Sequence, residues 1–167
     1  MDAIYTFRNC LPGSNLCWLL LLAVALPIGV LAQPISGRVI AVADGDTFTL
    51  LTAGQQQVKV RLHGIDCPEK KQPYGAAAKA FTSRAIFGKT VQVKGAKKDR
   101  FGRVLGTVYY GAGLCLNEDL LAAGCAWHFK KYDRQAAWAA LEQQARAGKK
   151  GLWQDAHPIA PWQWRGR

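Results

Sequence analysis

Between Val58 and His63 the chain alternates without a break: Val58, Val60 and Leu62 are apolar, and Lys59, Arg61 and His63 are polar. A period of two puts one set on each face of a β-strand, so Arg61 stands on the polar face of a rigid element. The neighbouring segments fit the same sheet. Asp44-Gly45 separates two apolar runs, Val39–Val42 and Thr47–Leu51, and reads as a hairpin turn needing positive φ. A second turn at Ala53-Gly54 leads into the alternating strand. Pro68 and Pro73 make the segment after it an irregular loop.

From Gly75 to Ile86 the pattern becomes helical, with Ala76, Ala80 and Ile86 among small and apolar neighbours, and Gly88 ends it. Thr90–Lys94 and Val104–Tyr110 read as two more strands around a basic turn, Gly95–Gly102. Leu116–Ala123 reads as a short helix closed by Gly124. Asp133 is placed to cap a third helix running to Ala147, with Ala137, Leu141 and Ala145 as its apolar stripe. Five strands with a helix after the third predict an α+β, mainly β, fold: a five-stranded Greek-key barrel of the OB type with about three helices. Other α+β arrangements share this pattern.

Residues 1–32 stand apart from that domain. A run free of charge from Asn15 to Ala32 follows a short stretch carrying Arg8, and Val30-Leu31-Ala32 offers a cut before Gln33. This predicts a signal peptide over 1–32, and hence a secreted or periplasmic protein. The alternative is a retained membrane anchor, although Pro27 interrupts the run and a spanning helix needs about 20 apolar residues. Residues 33–167 then form a single domain with a Trp-rich C-terminal tail. The formal charge of the chain is +11, and the leader's Asp2 and Arg8 cancel, so the domain keeps that excess. Such a charge attracts polyanions, or serves only as a solvated basic surface. Cys67, Cys115 and Cys125 follow the leader, without a Cys-x-x-Cys zinc pattern and with the histidines scattered. Cys115 and Cys125 either pair or sit as small buried core residues.

Against that basic background, three acids (Asp46, Asp66 and Glu69) and two arginines (Arg61 and Arg103) can converge from three short segments: Asp44-Gly45-Asp46-Thr47, Arg61 through Glu69, and Asp99-Arg100-Phe101-Gly102-Arg103. Singly, Asp44 serves a turn, Asp46 is a strand-end acid, Asp66 and Glu69 are loop acids, and the arginines are surface charges. Together, clustered acids on a basic protein would repel a nucleic acid unless they held a cation. Carboxylates are hard oxygen ligands, and arginine forks match phosphate oxygens.

In order and spacing, these segments resemble the thermonuclease family, the staphylococcal-nuclease-like phosphodiesterases. The resemblance runs over nearly all of residues 36 to 153 and takes in Tyr74-Gly75, Leu116-Asn117-Glu118 and Gly151-Leu152-Trp153. The ending Trp162-Gln163-Trp164-Arg165 is similar to those of bacterial members. The resemblance implies an OB barrel with three helices and a Ca²⁺-dependent nuclease acting on DNA and RNA as a monomer, with no protein partner implied. It implies Asp46 and Asp66 as calcium ligands, with Cys67 contributing its main-chain carbonyl. It implies Glu69 as general base and Arg61 and Arg103 as phosphate clamps. Arg100, Lys130 and Tyr132 are the expected substrate contacts. Phe101 replaces a common tyrosine, Lys130 stands where the family has a second pocket tyrosine, and the loop after Glu69 is shorter than in the staphylococcal enzyme. These departures touch base stacking rather than bond cleavage. Two other classes remain open at this stage: an OB-type nucleic-acid-binding module without catalysis, and a membrane-tethered interaction protein.

Overall fold

The computed structural model describes residues 33–95 and 97–166; the expected leader, 1–32, lies outside them. The strands are β1 (Ile35–Val42), β2 (Thr47–Thr52), β3 (Gln57–Leu62), β4 (Ile65–Asp66), β5 (Thr90–Lys94), β6 (Val104–Tyr110), β7 (Leu114–Cys115) and β8 (Trp127–His128). The helices are α1 (Gly75–Ile86), α2 (Leu116–Ala122), α3 (Ala136–Ala147) and the single turn α4 (Pro161–Trp164). Antiparallel pairing runs β3-β2-β1-β5-β6, and a parallel pairing of β3 with the start of β6 closes the ring into a five-stranded barrel, with β7 paired to the end of β6. Closure leaves no free edge on β3, so its two faces are inside and outside the barrel.

The alternation in β3 works as the pattern requires. Val60 and Leu62 are buried in the core with Val39, Phe48, Leu50, Val91, Val93 and Val108, while Lys59 is exposed and Arg61 half-buried. The helices cover this core through Ala78 and Ile86 of α1, Leu116, Leu120 and Leu121 of α2, and Trp138 of α3. Asn117 ties α2 to the barrel. Its Oδ1 accepts from the Val108 amide at 3.1 Å, and its Nδ2 donates to the His63 carbonyl at 2.9 Å. A smaller cluster of Ala145, Leu152 and Trp153 packs with Tyr74 and Trp127 near the C-terminus.

Three local expectations are corrected. Gly45 does not adopt a positive φ; it is required by a close approach instead. A Cβ there would lie 2.7 Å from the Cβ of Cys67 and 2.8 Å from that of Ala78. Asp133 does not cap α3, whose cap position is Gln135. Asp133 is drawn back to His128, 2.9 Å from its Nε2, and accepts from the Gln135 amide at 2.9 Å. The buried stripe of α3 is Trp138, Glu142 and Ala145, whereas Ala137 is exposed and Leu141 half-buried. The large Trp138 decides which face turns inward, and Glu142 is accepted there because its carboxylate is paired. Its Oε1 accepts from the His128 amide and from Arg146, each at 3.2 Å. Cys67, Cys115 and Cys125 are all free thiols, so Cys115 and Cys125 do not pair.

Candidate active site

Register brings the first two segments together. Thr47 of β2 lies opposite Arg61 of β3, and Arg61 lies opposite Leu105 of β6, two residues after Arg103. Asp46 precedes Thr47 and accepts no freedom of backbone: the Leu62 amide donates to its carbonyl at 2.9 Å. Asp66 is fixed by the short ladder of β4 with β8, opposite Trp127. Glu69 follows in the loop, where its amide donates to the Gln72 side chain at 3.0 Å and its carbonyl accepts from the Gln72 amide at 2.9 Å. Gly75 allows this loop to fold tightly, because a Cβ there would sit 2.0 Å from the Glu69 carbonyl oxygen.

The side chains converge on one guanidinium. Arg61 donates from Nη1 to Asp46 Oδ1 at 2.8 Å and from Nη2 to Asp66 Oδ1 at 2.6 Å. Asp46 Oδ1 also accepts from the Thr47 hydroxyl at 3.1 Å, and Oδ2 from the Cys67 amide at 2.9 Å. Arg103 approaches from the other side. Its Nε donates to Asp99 Oδ2 at 2.7 Å, and its Nη1 lies 3.5 Å from Thr47 Oγ1. Asp99 is held as the ionised partner by hydrogen bonds. Burial raises its pKa, but the Arg103 and Phe101 amides and the Arg103 guanidinium outweigh this and lower it.

Burial dominates the electrostatics. Asp46 is 2 % exposed and Asp66 0 %. Removal from water pushes the Asp46 carboxyl up to about 7, against the opposing pull of Arg61 and the Cys67 amide. The two carboxylates outweigh burial at Arg61 and raise its pKa. Burial drives the Cys67 thiol well above its usual range, so it is a neutral thiol and not a thiolate ligand.

The donor set suits a hard divalent cation. Asp46 and Asp66 supply oxygens within the span of one guanidinium fork, and the cations seated at them are arginines, stand-ins for positive charge. Among the described residues no three His, Cys, Asp or Glu groups stand preassembled as a complete cage. The remaining positions of such an ion would go to main-chain, water or phosphate oxygens, as hard cations allow.

The other expected contacts lie further out. Arg100 and Arg103 both stack on Phe101, at 4.7 and 5.4 Å from its ring centre, and Phe101 is exposed. The Lys130 ammonium is 3.4 Å from the Glu142 carboxylate on α3, away from Asp46, Asp66 and Glu69. Tyr132 is exposed, with its ring edge-on to Phe129 at 4.9 Å. Sequence reasoning did not single out Arg165 as a site residue. Its fork reaches Asp66 from Nη2 at 2.7 Å and also grips Glu69. The only signal for it was the Trp162-Gln163-Trp164-Arg165 ending, which has no spacing relation to the acids.

Known proteins are similar to this chain in sequence. The family model described as staphylococcal nuclease homologue matches residues 59–155. A protein of Escherichia coli named an uncharacterized endonuclease is 42 % identical over 138 residues, covering 83 % of this chain and 90 % of its own. A protein of the same name from Haemophilus influenzae is 40 % identical over 128 residues, 77 % of this chain and 71 % of its own. A protein named as a probable staphylococcal-like nuclease in Oryza sativa subsp. japonica is 38 % identical over 136 residues, 74 % of this chain and 41 % of its own. By the family match over residues 59–155 and the 42 % identity over 138 residues, the chain belongs to the staphylococcal nuclease family and is a nuclease, a hydrolase of nucleic acids.

Proposed function

We propose that the protein is an exported, Ca²⁺-dependent nuclease that acts as a monomer on DNA and RNA. The observation that carries this reading is the pair of buried carboxylates, Asp46 and Asp66, held by the single fork of Arg61 with Glu69 and Arg103 alongside. Asp46, Asp66 and the Cys67 carbonyl would hold the cation, which when bound acts as a Lewis acid on the scissile phosphate. Glu69 takes a proton from the attacking water, whose oxygen bonds to phosphorus. The P–O5′ bond breaks, and the departing oxygen takes a proton from solvent, leaving a 3′-phosphate and a 5′-hydroxyl. Arg61 keeps a second N–H on each nitrogen that already serves a carboxylate, and among the described residues these have no partner, so they would grip the phosphate. Arg103, oriented by Asp99, supplies a second fork where charge develops. These contacts address the backbone, so little base preference is expected. Arg100, Lys130 and Tyr132 would add charge and stacking along a single strand.

Digestion of plasmid and single-stranded substrates with Ca²⁺, with Mg²⁺ and with chelator tests the reading. Cleavage with Ca²⁺ and none in chelator is expected; full activity in chelator would remove the metal assignment. Export rests on the uncharged run that ends at Ala32. The native protein should begin at or near Gln33, and recovery of intact Met1 in the membrane fraction would mean an anchor instead.

A further inference from the structure

Arg165 reaches the carboxylates from 99 residues beyond Asp66. The segment that carries it is firmly seated. The Ile159 carbonyl accepts from Gln72 Nε2 at 2.7 Å, and Gln72 is the same residue whose side-chain oxygen accepts from the Glu69 amide. Ala160 is 2 % exposed and Pro161 is buried. Trp162 stacks on Phe129, 4.8 Å between ring centres and 6° between planes, and meets Trp127 edge-on at 5.6 Å. These contacts anchor the tail upstream of Arg165. The Arg165 side chain itself remains 42 % exposed, so it can rotate away while the anchor stays.

Its fork occupies the oxygens that a cation would need. Asp66 Oδ2 accepts from Arg165 Nη2, Oδ1 accepts from both Arg61 and Arg165, and Glu69 Oε1 accepts from Arg165 Nη1. A calcium ion binds carboxylate oxygens at about 2.3–2.6 Å along the same lone-pair directions. It would therefore meet the guanidinium at close range, charge against charge. The fork and a cation cannot share these oxygens, so one of the two guanidiniums must yield when a cation enters. Arg61 is confined between two buried acids, whereas Arg165 is half in solvent.

We propose that the C-terminal segment Pro161–Arg165 is a tethered plug: Arg165 and a divalent cation compete for Asp66 and Glu69, and cation binding drives the guanidinium out of the site. This rests on the reading of Asp46 and Asp66 as cation ligands. The plug neutralises buried Asp66 and half-buried Glu69 when cations are scarce and sets the cation level at which the site opens.

Two measurements on the full chain test it. The first is calorimetric titration of calcium alone into the wild type and Arg165→Gln. If the fork is seated in about nine molecules of ten, removing it tightens apparent calcium binding about tenfold. The second uses the unaltered chain, so it does not depend on the variant folding. Phenylglyoxal labelling of Arg165, read by mass spectrometry, should rise when calcium is added. Equal or weaker calcium binding by Arg165→Gln would overturn the plug while leaving the cation site standing. So would labelling that stays unchanged in saturating calcium. Failure of both proteins to bind calcium would overturn the plug together with the cation-site reading beneath it.

Discussion

Arg61 illustrates how a residue becomes a site component. Its position on the polar face of β3 follows from the alternation of Val58, Val60 and Leu62, so its direction was legible from sequence. Its partners were not, because no local pattern states that Asp46 and Asp66 fall within one fork. Their meeting depends on the β2–β3 register and on the β4–β8 ladder. Cys67 shows the reverse case. The residue is 3 % exposed and packed against Gly45, and burial keeps its thiol neutral, which leaves its carbonyl as the group for the proposed cation contact. Cys67→Ser should retain calcium binding while losing about 1–3 kcal/mol of stability, since a buried hydroxyl would lack an assured partner. Calcium calorimetry beside chemical denaturation checks this; loss of binding in a folded variant would show that the thiol itself matters.

At the scale of elements, the five barrel strands and α1 were legible because period-two and helical patterns are local, and glycines mark their ends. α3 was legible as a helix but not in its facing. The apolar stripe placed Ala137, Leu141 and Ala145 inward; Ala145 is buried and Leu141 packs against the core, but Trp138 takes the inward position in place of the exposed Ala137. Asp133 was misread for a related reason. An acid ahead of a helix is a cap by default, but here buried His128 competes for it. The junction of α2 with the barrel rests on Asn117, which is fully buried and serves one amide and one carbonyl on different strand ends. Asn117→Ala should strand both groups and lower stability by about 2 kcal/mol or more. A denaturant midpoint equal to that of the wild type would show that α2 docks by apolar contacts alone.

Over the described residues, the chain closes a basic barrel around a core and gathers Asp46, Asp66 and Glu69 into one hydrogen-bonded row that runs Arg103, Thr47, Asp46, Arg61, Asp66, Arg165 and Glu69. The part of that row from Arg103 to Asp66 comes from the three motifs, brought together by the barrel's register. Arg165 enters only through tertiary docking of the tail, which explains why it was invisible to spacing arguments. The charge of +11 supplies non-specific attraction for a polyanion over the whole surface, so affinity and chemistry should separate under mutation. The most direct measurement of the account is kcat beside DNA affinity for Arg61→Lys, Arg103→Lys and Glu69→Gln. Lysine keeps the charge but loses the fork, and glutamine keeps the shape but cannot take the proton. We expect kcat to fall roughly 10²-fold or more for each, as for loss of a transition-state donor. DNA affinity should change far less, because it sums over many basic contacts. Three folded variants that cleave DNA like the wild type would contradict the assignment of this cluster as the catalytic centre.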